Sequence, residues 1–147
     1  MQRPENELTS GDARTLSYAS LRIDAPLLER ILGYQRALLQ GLEADRSPAA
    51  MASAHQAALA RSGLSQDVVE RALAVLRRFA GNREVAGRLR ARAEAVPPDR
   101  ADDLRQRLDA LDRELRERDD PDTIALLLSH QDEVLALHRD LLRLLGG

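Results

Sequence analysis

Cysteine, tryptophan and lysine are all missing from this chain of 147 residues, and only one phenylalanine and two tyrosines are present. Without cysteine there are no disulfides, no thiolate metal sites and no sulfur nucleophile, and the redox compartment is left open. Aromatic residues make up 2% of the chain against 44% hydrophobic residues overall, so the core must be built from Leu, Ala, Val and Ile. Leu and Ala favour helices, and the β-branched and aromatic residues that favour strands are scarce, which points to an all-α fold. No apolar run approaches the ~20 residues needed to span a bilayer. No basic-apolar-small leader pattern opens the chain either, so the expected location is cytoplasmic; a chain whose leader had been removed would read the same. All 22 basic residues are arginine, which reads as the codon bias of a GC-rich bacterial genome. There is also no Gly-rich phosphate loop, no Gly-x-Ser-x-Gly elbow and no HExxH, and the carboxylates lie on charged helical faces. No enzyme is expected and no cofactor is implied.

The net charge is −2, but its distribution is uneven. Residues 1–54 carry six Arg against seven acids, residues 55–96 eight Arg against four, and residues 97–147 eight Arg against thirteen. A basic middle followed by an acidic end either holds helices together or marks a patch for an anionic partner.

Residues 1–22 show no sustained period and are expected to form a flexible N-terminal arm, docking at most near Tyr18–Ile23. Residues 23–147 are expected to be a single helical-bundle domain. Its first helix should start at Asp24 as N-cap, with Leu28, Leu32, Gln35, Leu39 and Leu42 forming an apolar stripe. Gly33, Ala37 and Gly41 lie on a second face, and glycine costs ~1 kcal/mol in a helix interior, so close packing is expected there. The natural partner is the Ala-rich helix from Pro48 to about Arg61, capped by Ser47 and ended by Gly63.

From Ser65 to Val96 the four-three alternation Val68, Ala72, Val75, Phe79, Asn82, Ala86, Leu89, Ala93, Val96 predicts one long central helix that continues across Gly81; the alternative is a break at Gly81-Asn82, which has the make-up of a C-cap pair. Asn82 is its lone polar seam residue, a type that commonly fixes register. After Pro97-Pro98, with Asp99 as cap, a narrow seam of Ala101, Leu104, Leu108, Leu111 and Leu115 predicts a charged, coiled-coil-like helix. Asp120 and Pro121 then start a last helix reaching about Leu145, and the short connection predicts an antiparallel C-terminal hairpin. The expected architecture is an antiparallel bundle of about five helices.

Residues 59–71 (Leu-Ala-Arg-Ser-Gly-Leu-Ser-Gln-Asp-Val-Val-Glu-Arg) resemble the helix-turn-helix of bacterial repressors: a turn glycine, an apolar residue, a serine cap and a valine six residues past the glycine. The resemblance covers about twenty residues, 57–78. It implies that Ser65, Gln66 and Arg71 lie near bases and Arg61, Arg77 and Arg78 near phosphates. Asp67 and Glu70 would also face the phosphates, and a recognition helix of ~30 residues exceeds the usual 8–20. Arg83, Arg88, Arg90 and Arg92 have no interleaved aromatics for base stacking and read as a solvated face paired with the acidic helix that follows. His130 and His138 are eight residues apart, over two turns, too far to share a metal without a ligand between them. The Gly146-Gly147 end resembles that of ubiquitin-like modifiers, which are β-grasp folds, whereas here it follows a leucine helix as a C-cap.

The leading expectation is therefore a helical protein–protein interaction or adaptor module without catalytic activity, using a leucine face or the basic edge for a partner or for self-association. The alternative is a small DNA-binding regulator using 57–78. The candidate contacts to a nucleic acid or other anionic partner are Arg61, Gln66, Arg71, Arg77 and Arg78.

Overall fold

The computed structural model describes residues 21–146. Among these residues six helices follow in order: α1 (Ala25–Ala44), α2 (Pro48–Ser62), α3 (Gln66–Ala95), α4 (Pro98–Arg118), α5 (Pro121–Ser129) and α6 (Gln131–Leu145). No strand occurs among the described residues.

Local chemistry sets four of the six helix starts. Asp24 Oδ1 accepts from the Leu27 amide at 2.9 Å, Ser47 Oγ from Ala50 at 3.2 Å, Ser65 Oγ from Val68 at 3.2 Å, and Asp120 Oδ2 from Thr123 at 3.0 Å. Each such cap stabilises its helix by ~1 kcal/mol. Gly63, at φ 70, supplies the left-handed turn that ends α2. The start of α4 departs from expectation. Pro97 holds the cap position and its carbonyl accepts from Arg100 and Ala101, while Asp99 sits in the first turn, where the helix dipole favours a negative charge.

The long central helix is continuous, running 30 residues across Gly81. The expected last helix is not. It breaks at His130, whose φ of −116 and ψ of 21 leave helical geometry. The Leu126 carbonyl accepts from Ser129 Oγ at 2.6 Å and from His130 Nδ1 at 3.1 Å, while the His130 amide turns to Leu127. Side chains thus take over the acceptor that an unbroken helix would use for its own amide.

Packing also differs from the expected C-terminal hairpin. α4 lies chiefly against α3, while α6 lies on α1 and α3. As the α3 position rises from Arg78 to Asn82 and Arg83, its α4-side partner falls from Asp119 to Leu111 and Asp112, which makes the pair antiparallel. Asn82 donates to the Leu111 carbonyl at 2.8 Å and accepts from the Arg83 guanidinium, so it ties the two helices in register. α1 meets α2 so closely at one point that a Cβ added to Gly41 would lie 2.6 Å from Ala54 Cβ. Gly33, at the other end of the same small-residue face, has nothing within 4 Å of such a Cβ. The close contact therefore covers only part of that face.

The core joins Leu28 and Ile31 of α1, Val69, Val75 and Phe79 of α3, Leu115 of α4, Leu127 of α5 and Val134 of α6. Phe79 is fully buried, and truncating such a residue to alanine costs about 3–5 kcal/mol. On α3 this cluster ends at Phe79; Leu89 beyond it, and Leu104 and Leu108 on α4, are only half-buried. The expected N-terminal arm lies outside the described residues except for its last two. Leu21 packs on the core, Arg22 Nε stands 3.4 Å from Asp120, and the buried Ile23 amide donates to Thr123 Oγ1 at 2.9 Å. No helix among the described residues is long and apolar enough to cross a membrane.

Candidate functional site

After the break at His130, α6 presents Val134, His138, Leu141, Leu142 and Leu145 on one side. These spacings of four, three, one and three form one helical face. With Tyr34, Gln35 and Leu38 of α1 and Leu73, Leu76 and Arg77 of α3, they enclose a groove of about 320 Å³. Leu142 and Leu145 remain 53% and 51% exposed, so the apolar lining continues out of the groove onto the surface.

Few polar groups interrupt this lining. Gln35 is 6% exposed, and its Oε1 is buried with no hydrogen-bond partner among the described residues. Such an acceptor forfeits its water contacts for nothing, at a cost of about 1–3 kcal/mol. Tyr34 turns its hydroxyl away to share a 2.7 Å hydrogen bond with His55 Nδ1 on α2, and burial pushes its phenol above the usual range. Burial likewise pushes the His138 imidazole below its ordinary range. Glu84 opposes this, while Arg77 and Arg139 add to it. Glu84 is itself engaged, accepting from Arg139 Nε at 2.6 Å, a bond that raises the Arg139 pKa further. Arg77 is exposed at the groove and forms no ion pair among the described residues.

The residues singled out in the sequence are spread over different surfaces. Arg61 opens, with Arg30 and Arg36, onto a wide cleft of about 680 Å³ between α1 and α2. Glu29 lines the same cleft, and Arg36 is bonded to Glu133. Gln66 donates to Glu70 at 3.2 Å, and Arg71 stands 3.8 Å from Asp67. Arg77 belongs to the leucine groove. Arg78 faces α4, where its Nη2 donates at 2.8 Å to Asp119, a carboxylate 2% exposed. Of the arginine cluster, Arg83 is buried and pairs with Asp112 at 2.7 Å, while Arg88, Arg90 and Arg92 are exposed and form no ion pair among the described residues. His55, His130 and His138 are engaged respectively with Tyr34, at the α5–α6 break and in the groove. No group of three or more His, Asp or Glu among the described residues is placed to hold a metal ion.

Sequence reasoning passed over Gln35 and His138 as groove residues. The signal for Gln35 was present, since it occupies a stripe position otherwise filled by leucine. Comparison of the chain with protein-family models, with curated proteins and with solved structures yields no match, so its function is argued from this geometry alone.

Proposed function

We propose that this chain is a helical interaction module without catalytic activity, and that its groove between α1, α3 and α6 receives an amphipathic helix of a protein partner. The observation that carries this reading is an apolar groove whose lining runs out to two half-exposed leucines, Leu142 and Leu145. A surface of that kind suits helix-in-groove recognition, in which apolar side chains at i, i+3, i+4 and i+7 of the partner fill successive positions. Its volume of about 320 Å³ lies within the ~300–1,000 Å³ range of ligand sites. A DNA-binding regulator built on 57–78 draws less support, because Arg61, Arg77 and Arg78 open onto three different hollows.

Fluorescence anisotropy with a labelled, leucine-faced helical peptide tests the reading. Wild-type protein is expected to bind it, and the double variant Leu142→Arg/Leu145→Arg to bind at least tenfold more weakly while keeping its circular dichroism spectrum. Both leucines are half-exposed, so the charges are tolerated in the free protein. Failure of the wild type to bind any such peptide overturns the proposal. Light scattering identifies one special case: a wild-type dimer that the double variant converts to monomer makes the bound helix that of a second copy.

A further inference from the structure

We infer that the groove selects partner helices that carry a carboxylate, which Arg77 receives at the rim, and a hydrogen-bond donor, which Gln35 Oε1 receives at the floor. This rests on the groove being a helix-binding site and adds the chemistry of what binds there.

Two observations point the same way. Arg77 is an exposed cation beside leucines, with no ion pair among the described residues. Its neighbours in sequence and space are answered: Arg78 by Asp119, Arg83 by Asp112, and Arg139 by Glu84. Glu84, the acid whose charge is felt at His138, is held by Arg139 at 2.6 Å and lies outside the groove lining. The groove therefore offers positive charge and contributes no carboxylate of its own to meet it.

Gln35 supplies the second observation. An amide oxygen on a side chain only 6% exposed, with no partner among the described residues, is an unmet acceptor on a residue that lines the groove. Buried polar atoms are paired in the great majority of cases, and a donor arriving with the ligand would pair this one once the side chain turns its oxygen toward the groove. A purely apolar helix leaves Gln35 Oε1 unpaired, as it already is in the free protein. A helix bearing an acid at the edge of its leucine face and a hydroxyl or amide toward the floor satisfies both groups together. The charge complement also sets specificity, because a basic helix would place like charges against Arg77.

A set of labelled leucine-faced peptides tests this, with a single Glu, Gln or Lys placed in turn at each position flanking the apolar face. At low salt the wild type is expected to bind the best Glu peptide about fivefold more tightly than its Gln counterpart, a preference that fades as salt is added. Arg77→Glu is expected to reverse the order in favour of the Lys peptide; residue 77 is exposed, so this variant keeps its fold. In nuclear magnetic resonance spectra the side-chain amide signals of Gln35 are expected to shift when the Glu peptide binds. Equal affinity for Glu, Gln and Lys peptides overturns acid selection while leaving the groove as a helix site. Unmoved Gln35 signals overturn its role as acceptor. No binding of any peptide to the wild type removes the underlying proposal itself.

Discussion

His138 shows how one side chain links the groove to solution conditions. Burial holds its imidazole below the ordinary range, so the folded protein takes up a proton at lower pH than the unfolded chain does. The stabilising share of neutral His138 is then complete above the unfolded value of ~6.5 and is lost as pH falls below it, through the depressed folded value. Thermal melts between about pH 7.5 and pH 5 are expected to show Tm falling with pH, and falling less in His138→Leu. An identical slope in the variant would locate the pH dependence elsewhere. Gln35 teaches a complementary lesson about legibility. Its place in the stripe Leu28, Leu32, Gln35, Leu39, Leu42 marked it as an anomaly in the sequence. What the anomaly is for depends on Arg77 and Leu142, which lie 42 and 107 positions further along the chain.

At the scale of elements, the two glycines of α1 make opposite predictions from the same substitution. Gly33→Ala adds a Cβ that meets nothing within 4 Å, so the better helix former is expected to raise stability by ~0.5–1 kcal/mol. Gly41→Ala sets a methyl 2.6 Å from Ala54 Cβ, with the Ala54 backbone 3.5 Å away. α1 and α2 must then separate, and a net loss of about 1–3 kcal/mol is expected in denaturant melts despite the gain in propensity. The sequence pattern placed both glycines on one face, and only the packing distinguishes them.

Helix starts were legible because Asp24, Ser47, Ser65 and Asp120 act on amides three residues away. The break at His130 was not, because Ser129 and His130 compete for a carbonyl that an ordinary helix also uses. The choice of α3 rather than α5 and α6 as the main partner of α4 was hidden as well, since both connections are short and contain proline. Ion pairs such as Arg78–Asp119 and Arg83–Asp112 belong to that choice. The expected attraction between the basic helix and the acidic segment is therefore real at those two points, while Arg88, Arg90 and Arg92 remain exposed.

Across the whole molecule, the hydrophobic cluster is gathered around one end of the α3–α4 pair. Beyond Phe79 and before Leu115 the buried apolar side chains are small, Ala80, Ala86 and Ala101, and the two helices are joined there by these, by half-buried leucines and by the Asn82 and Arg83 bonds. Hydrogen exchange is expected to report this as a gradient, with amides of residues 87–110 exchanging well before those around Val69–Phe79. Uniform protection along α3 would show that the distal half is as tightly held as the core.

The continuity of α3 has a mechanical consequence. At 1.5 Å per residue, its end at Ala95 lies about 24 Å beyond Phe79, whereas Leu73 lies about 9 Å on the other side. A tilt of the helix about the buried phenylalanine would have unequal arms. A tilt that carries the distal end through about 4 Å moves the groove wall by only about 1.5 Å. Such a tilt would reach the groove only as a change of width on the scale of a side-chain contact.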